Sequence, residues 1–387
     1  MAGQARRSPV GAEMHIGITG ADGFLGWHLR SLLHGDTTED TAVPCDQASF
    51  ADDNALDDLA ATSDAIVHFA GINRGTDDEV LNGNLAITDR LIAALRRSGR
   101  MPHILFASSI QIDRDNTYGE AKRVCAQHLQ TWADSCGAHL TTVVLPNVFG
   151  EFGRPFYNSV VATFCHQLVH GEEPHIVADA PLELIAAQDV AAKFVALAHD
   201  GAAGVVRVPG HNPLLVSEIL SRLQGLNASY SGGTLPLLAD SFDLQLFNTL
   251  RSFRFPDQVQ GIFDVHTDPR GTLWEVARSQ GTGQTFVSWT EPGVTRGNHY
   301  HRHKVERFAV LSGSGRIRLR RLFTPDVHTY DLTGEAPGYV DMPTFCTHSI
   351  ENTGSAPLLT LFWSGELFDA GKPDTWSEPV LAQEAGR

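Results

Sequence analysis

The chain is short of positive charge and of cysteine, and it lacks any long apolar run. Its 29 Lys and Arg face 45 Asp and Glu, a net charge of −16, and the bases form no stripe. That excludes the electrostatic footprint of a nucleic-acid or anionic-membrane partner. Five cysteines (Cys45, Cys125, Cys136, Cys165 and Cys346) are scattered, odd in number and free of any C-x-x-C pair. They read as reduced thiols, which excludes a disulfide framework and points to a cytoplasmic protein. No stretch of about eighteen apolar residues occurs, so no membrane-spanning helix is expected. Residues 1–13 carry two arginines with no apolar segment behind them. They are expected to be a disordered leader, not a signal peptide.

What is present points to two domains, because 387 residues exceed one ordinary core. From Met14 to about Leu220, short apolar runs alternate with longer amphipathic stretches. MHIGITG, DAIVHFAG, PHILFASS and LTTVVLP read as strands. LGWHLRSLL, NLAITDRLIAALRRSG and AKRVCAQHLQTWADSCG read as helices, the last two ending at Gly99 and Gly137. Strand followed by helix, repeated, predicts a doubly wound parallel sheet of Rossmann type. After about Arg251 short strands are divided by DPRG, EPG, SGSG and GSAP, which predicts an all-β barrel or sandwich. The domains are expected at 14–255 and 256–387, with Gly225 to Pro256 as the connecting stretch.

In the first domain Gly20, Gly23 and Gly26 follow a strand and open a helix. Glycine there permits a tight turn and close approach of backbone to a pyrophosphate, which a helix N-terminus attracts. Phe24 within this turn and Ala70 after the third strand are assigned with it to cofactor binding. Asp46, twenty residues after Gly26, suits a ribose 2′-hydroxyl or is a solvated loop acid. Asp64 suits ordering of the loops beneath the cofactor or is a helix-to-strand turn acid. Ser109 stands at a strand end, after Ser108, and Tyr118 and Lys122 lie four apart on one helix face. A lysine ammonium lowers the phenol's pKa and holds the nicotinamide ribose, so Tyr118 can protonate a carbonyl oxygen while hydride attacks its carbon. Asn84 reads as a helix N-cap. Asn147 lines a substrate pocket or starts a turn.

The second domain carries Gly293, five residues, His299-x-His301, four residues, Glu306, six residues, Gly313, and then His348. His299 and His301, two apart on a strand, share a face. With Glu306 and His348 they form a set of three imidazoles and one carboxylate, suited to zinc or another divalent transition metal. His303 is a spare candidate ligand.

These motifs resemble known families. The glycine turn with Ser109 and Tyr118-x-x-x-Lys122 is similar to extended short-chain dehydrogenase/reductases that modify nucleotide sugars. The histidine-glutamate spacing resembles a cupin barrel, although Phe345 stands where the second cupin signature has glycine. The fusion, with GINR (71–74), SSIQ (108–111), NTYGEAK (116–122), YNSVVATFC (157–165), GNHYH (297–301), DMPTFCTHSIEN (341–352) and LFDAGKPDT (367–375), resembles the CapF family of capsular polysaccharide-assembling enzymes. The resemblance implies a bifunctional, homodimeric enzyme acting on a UDP-linked 4-keto-6-deoxy amino sugar. Its cupin domain would epimerise carbon 3, and its reductase domain would reduce the carbon-4 ketone. The product would be a UDP-linked 2-acetamido-2,6-dideoxy-L-talose, the precursor of N-acetyl-L-fucosamine in surface polysaccharide. The implied catalytic residues are Ser109, Tyr118 and Lys122, and the implied ligands of Zn2+ are His299, His301, Glu306 and His348. The resemblance implies NADPH, whereas Asp46 after the second strand suits NADH. His303, Lys304 and Tyr339 are candidates for the cupin base, and the metal either polarises the ketone or braces the barrel. Two other readings compete with this one. One is a single-function ketoreductase with a sugar-binding or dimerising cupin, and the other is an NAD(P)H-sensing binding protein.

Overall fold

The computed structural model describes residues 13–35 and 40–381, so the expected leader lies, but for Glu13, outside the described residues. The chain divides into two compact units, Met1–Val148 with Leu182–Pro213 and Phe149–Pro181 with Leu214–Arg387. Packing thus groups Phe149–Pro181, with one helix, and residues 214–255, with two, with the barrel, whereas the sequence predicts one boundary at 255/256.

The first unit is a parallel α/β sheet. Strands β1 (His15–Thr19), β2 (Thr41–Cys45), β3 (Ala65–His68), β4 (His103–Ser109) and β5 (Leu140–Leu145), with Gly204–Arg207 at the far edge, run in the order β2-β1-β3-β4-β5-edge. Every pairing is parallel. Strand β5 is buried throughout and β4 nearly so, as expected when helices cover both faces. On one face Ile16, Ile18, Val67 and Val143 pack against Leu29 and Phe194. On the other, Ile66, Ile104 and Phe106 pack against Leu59, Leu91 and Leu129. The chain goes from β1 to one neighbour and then to the other, so a crevice opens beyond the carboxyl ends of β1 and β3.

Helix α1 (Phe24–His34) follows the glycine turn, and α2 (Gln47–Ala51) and α3 (Asp53–Thr62) link β2 to β3. Helix α4 (Asp77–Ser98) begins seven residues before Asn84, with a Thr76–Glu79 capping box and three acids in its first turn. Asn84 is therefore an interior residue of α4, not its N-cap. Helix α5 (Thr117–Cys136) is capped by Asn116, whose side chain accepts from Gly119 N at 2.8 Å. Gly99 and Gly137 end α4 and α5 with φ of 65° and 76°, the left-handed geometry that favours glycine.

The second unit stacks two five-stranded antiparallel sheets. One contains Glu306–Ser312 between Gly338–Met342 and Leu358–Ser364, with Gln284–Thr290 at its edge. The other contains Cys346–Asn352 between Ser314–Arg321 and Thr295–Tyr300. Phe308, Val310, Ile317, Leu319, Val340, Met342 and Ile350 fill the space between them. The stretch expected to connect the domains is largely helical, at Val216–Ser231 and Ser241–Ser252. Phe242, Leu246, Phe247 and Leu250 recur at helical spacing and are all buried, and Asp240 caps the second helix through Asp243 N at 2.9 Å. Tyr230 donates to Asp341 at 2.5 Å, and Asp341 accepts Arg307 bidentately at 2.7 and 3.0 Å. This pair tethers the first of those helices to the barrel. Among the described residues no helix is long and apolar enough to cross a membrane.

Candidate active sites

At the sheet end of the first unit, Gly20 takes φ +68° directly after β1, and a Cβ there would stand 2.9 Å from Ala70 N. A Cβ on Gly26 would collide with the Gly20 carbonyl oxygen. Gly23 occupies the N-cap of α1, which has no side-chain cap and no acid in its first turn. Gly23 N donates to Gly20 O at 3.0 Å, which leaves the N–H groups of the first helical turn, from half-buried Phe24 onward, and the positive dipole end to attract an anion. This cradle fits a dinucleotide pyrophosphate.

Thr19 Oγ1 accepts Ala70 N at 3.2 Å and lies 2.7 Å from His68 Nδ1, tying the Ala70 loop to β1 and β3. Asp46 follows β2 beside the glycine turn, where Cys45 O accepts from Ala21 N at 3.2 Å. Its carboxylate accepts Ser49 N at 2.7 Å, and that bond holds its pKa below the usual range.

Asp64 does not belong to this site. It precedes β3 level with His15, at the amino end of the sheet, and accepts His15 N at 2.9 Å. The glycine turn lies at the other end of β1, about 16 Å away for a five-residue strand. Asp64 stitches strand starts together and cannot order a cofactor loop.

Lys122 is buried and donates to Ala107 O at 2.9 Å, with Nζ 5.6 Å from the Tyr118 ring centroid. Burial pushes its pKa down to about 8. Ser109 ends β4, and its hydroxyl caps the turn Ile110–Asp113 through Gln111 N at 3.2 Å. A Cβ on Gly119 would collide with Gln111 O, so the start of α5, with Tyr118, packs hard on the turn that Ser109 caps. Asn84 holds the loop after β3, accepting Ile72 N at 3.0 Å and donating to Ile72 O at 2.7 Å. That loop passes Lys122, and a Cβ on Gly71 would stand 3.9 Å from its Nζ. Sequence periodicity hid this clamp. Asn147 Nδ2 donates to Glu183 O at 3.3 Å, a contact that continues the local strand pairing.

In the second unit, ligand atoms of His299, His301, Glu306 and His348 lie within 4.8 Å of one another. His301 Nε2 is 2.8 Å from Glu306 Oε2, and His348 Nε2 is 3.1 Å from His299 Nε2. Glu306 comes from one sheet, and His299 and His348 are paired across the other. The strand carrying His299 ends at Tyr300, just before His301, and is bulged at Asn298 with φ +60°. The two rings still converge, with centroids 5.1 Å apart.

Burial lowers the His299 pKa to about 4 and lowers that of His348. Burial alone would raise Glu306, but the His301 hydrogen bond and the imidazoles outweigh it and hold it at about 2. The donor set, three imidazoles and one carboxylate, fits a divalent transition metal. His303 is exposed and outside this cluster. Tyr339 lies three positions along from the residue level with Glu306, about 10 Å away, under the Arg307 guanidinium. It faces a separate cavity of about 470 Å3 lined also by Phe263 and Trp274. Lys304 is buried and donates to Pro373 O at 2.8 Å. Phe345, at the glycine position of the second signature, takes φ +58°, fully buried, with its N–H donating to His301 O at 2.8 Å. The backbone there keeps the glycine-like turn, and packing retains the phenyl group.

Residues 16–208 match the NAD dependent epimerase/dehydratase family, and residues 266–376 match the polysaccharide biosynthesis C-terminal domain. The two matches, with the sites above, define a nucleotide-binding reductase-type domain joined to a cupin-like β domain. A UDP-2-acetamido-2,6-beta-L-arabino-hexul-4-ose reductase of Pseudomonas aeruginosa is 33% identical over 368 residues, covering 94% of this chain and 98% of that protein. The capsular polysaccharide assembling protein CapF from Staphylococcus aureus has a crystal structure that matches 95% of this chain and 100% of its own, with 33% identity and TM-score 0.59. The chain belongs to the CapF family. RMD from Pseudomonas aeruginosa, complexed with NADPH, shares the fold at 21% identity, over 56% of this chain and 84% of that one, with TM-score 0.51.

Proposed function

We propose that this chain is a bifunctional nucleotide-sugar enzyme. Its cupin domain epimerises carbon 3 of a UDP-linked 4-keto-6-deoxy N-acetylhexosamine. Its reductase domain then reduces the carbon-4 ketone with NADPH, giving UDP-2-acetamido-2,6-dideoxy-L-talose. The observation that carries the reading is buried Lys122 beside Tyr118, at the end of a sheet that presents a glycine cradle. The Pseudomonas relative's name supports the substrate class.

A bound nicotinamide supplies hydride, and a divalent cation such as zinc among the four ligands supplies positive charge. The rest falls to the chain's own residues. The Lys122 ammonium stabilises the Tyr118 phenolate, so the phenol gives its proton to the ketone oxygen as hydride reaches carbon 4. The Ser109 hydroxyl orients that oxygen. At carbon 3, the hydrogen beside the ketone is acidic because the carbanion's charge spreads onto oxygen. Removal from one face and return to the other inverts the centre with no net redox change. Of the three candidate bases, His303 and Lys304 lie in the loop between His301 and Glu306, and we assign the role to this pair. We also propose a cytoplasmic homodimer. The edge strand Gln284–Thr290 leaves Phe286, Val287 and Trp289 44%, 57% and 62% exposed, a surface suited to a second copy.

The test is NMR of the product formed from the 4-keto-6-deoxy UDP-sugar in D2O. Deuterium is expected at carbon 3 without NADPH, and the talo sugar with it. Tyr118→Phe should lose reduction by roughly 10²–10⁴-fold and keep exchange. Reduction without exchange in the wild type leaves a single-function ketoreductase. Absence of both leaves a binding protein.

A further inference from the structure

The segment after the last long barrel strand ends at residues 376–377, and it crosses the ligand cluster on the way. It leaves Leu358–Ser364 and rejoins the sheet where Trp376 and Ser377 pair with Tyr300 and His299. Within it Asp374 takes φ +40°, a left-handed backbone that few non-glycine residues adopt. Its carbonyl oxygen accepts from His301 Nδ1 at 2.5 Å. One carboxylate oxygen accepts Arg302 N at 3.0 Å and Trp376 Nε1 at 3.2 Å, and the other accepts His303 N at 2.9 Å and Lys304 N at 2.8 Å. Three successive N–H groups of the loop between ligands His301 and Glu306 thus converge on one side chain. Lys304 Nζ returns to the same segment at Pro373 O, and Arg302 lies over the Trp376 ring at 4.1 Å.

From this geometry we infer that Asp374 is a positioning residue for the cation site. Its carbonyl fixes the ring orientation of His301, and its carboxylate fixes the loop that spaces His301 from Glu306. With Nδ1–H donated to Asp374 O, the ring is turned so that Nε2 faces Glu306; here Nε2 donates to that carboxylate, and it is the nitrogen that would give up its hydrogen to bind a cation. A ring free to flip would present Nε2 to the cluster only part of the time. Outer partners of this kind typically change metal affinity by 10–100-fold. The φ value has the same reading: strain of this size persists only where surrounding bonds over-determine it. The positioning segment is also far from its target in sequence, 73 residues from Asp374 to His301.

The inference rests on the cation reading of the four ligands, and cobalt(II) alone as probe separates the two. Full-length protein, stripped with chelator, is titrated with cobalt chloride, and the visible absorption gives both affinity and coordination geometry. Wild type is expected to take up one equivalent, and His299→Ala none. Asp374→Ala should bind 10–100-fold more weakly, with an altered band shape, and Asp374→Asn, which keeps the side chain's size, should fall between. Wild-type affinity and spectrum in both variants would overturn the role of Asp374 and leave the cation site standing. No uptake by wild type would overturn the cation reading and this inference with it.

Discussion

The ammonium of Lys122 lies 5.6 Å from the Tyr118 ring centroid and 4.9 Å from that of Phe106, and donates to Ala107 O at 2.9 Å. Burial lowers its pKa from 10.5 to about 8, so a charge that the proposed proton transfer uses is held at a cost to the fold. The lowered pKa is worth about 3 kcal/mol, and the Ala107 hydrogen bond returns about 1 kcal/mol. Lys122→Met should therefore be more stable than wild type at pH 7, by about 2 kcal/mol, while losing reduction. The unfolded chain binds the extra proton between pH 8 and 10.5, so wild-type stability rises through that window and the variant's advantage shrinks. Urea unfolding of both proteins at pH 7 and pH 10 checks this. A variant less stable at pH 7 would show that Lys122 is a structural cation.

His68 supplies the opposite pH limb. Burial, with help from Lys122, lowers its pKa from 6.5 to about 3. Because Thr19 Oγ1 accepts Ala70 N, its own hydrogen is free to donate to His68 Nδ1, which must be unprotonated. The folded first unit therefore resists protonation there. Its stability should fall as pH drops from about 6.5 towards 3, by about 3 kcal/mol at pH 4. His68→Gln cannot take up a proton, and its unfolding free energy should be flatter over pH 7 to 4. Equal slopes for the two proteins would count against it.

Phe345 combines a buried ring with φ +58°. Removing the ring costs about 3–5 kcal/mol, and an L-residue in this conformation carries about 1 kcal/mol of strain. Phe345→Ala keeps the strain and loses the packing, whereas Phe345→Gly loses both. The expected order of stability is Phe, then Gly, then Ala, with Gly above Ala by about 1 kcal/mol. Thermal melting of the three proteins decides it, and Ala above Gly would refute the assigned backbone.

Cofactor choice turns on Asp46. Its carboxylate is occupied in capping Gln47–Ala51 through Ser49 N, so we expect wild type to reduce faster with NADPH than with NADH. Asp46→Arg should increase that ratio and lower stability by about 1 kcal/mol through the lost cap. Initial rates at subsaturating cofactor measure this. A wild-type preference for NADH that the Arg variant reverses would make Asp46 the ribose ligand.

Much of this was legible in one dimension, where the physics is local. The strands around Ile16, Ile66, Ile104 and Val143 announce themselves by burial on both faces. Gly99 and Gly137 end helices because only a few residues turn left-handed cheaply. Tyr118 and Lys122 share a helix face by their spacing alone, and His299, His301, Glu306 and His348 stand out by their spacing as a donor set. The sequence by itself therefore determined the two fold classes and which residues stand together at each candidate site.

Only the tertiary structure decided how distant residues act on one another. Asp46 and Asp64 look alike in sequence, yet parallel pairing puts one beside the glycine turn and the other at the far end of the sheet. Asn84 reads as a cap until the loop at Ile72 folds onto it. Buried apolar positions in Ser241–Ser252 were masked by the glycine and serine on either side. Asp374 carries no ligand spacing, because its partners are backbone N–H groups, which every residue has and no motif records. Such contacts depend on which chain ends the folded core brings together, and that is settled by burying the apolar faces of both sheets at once.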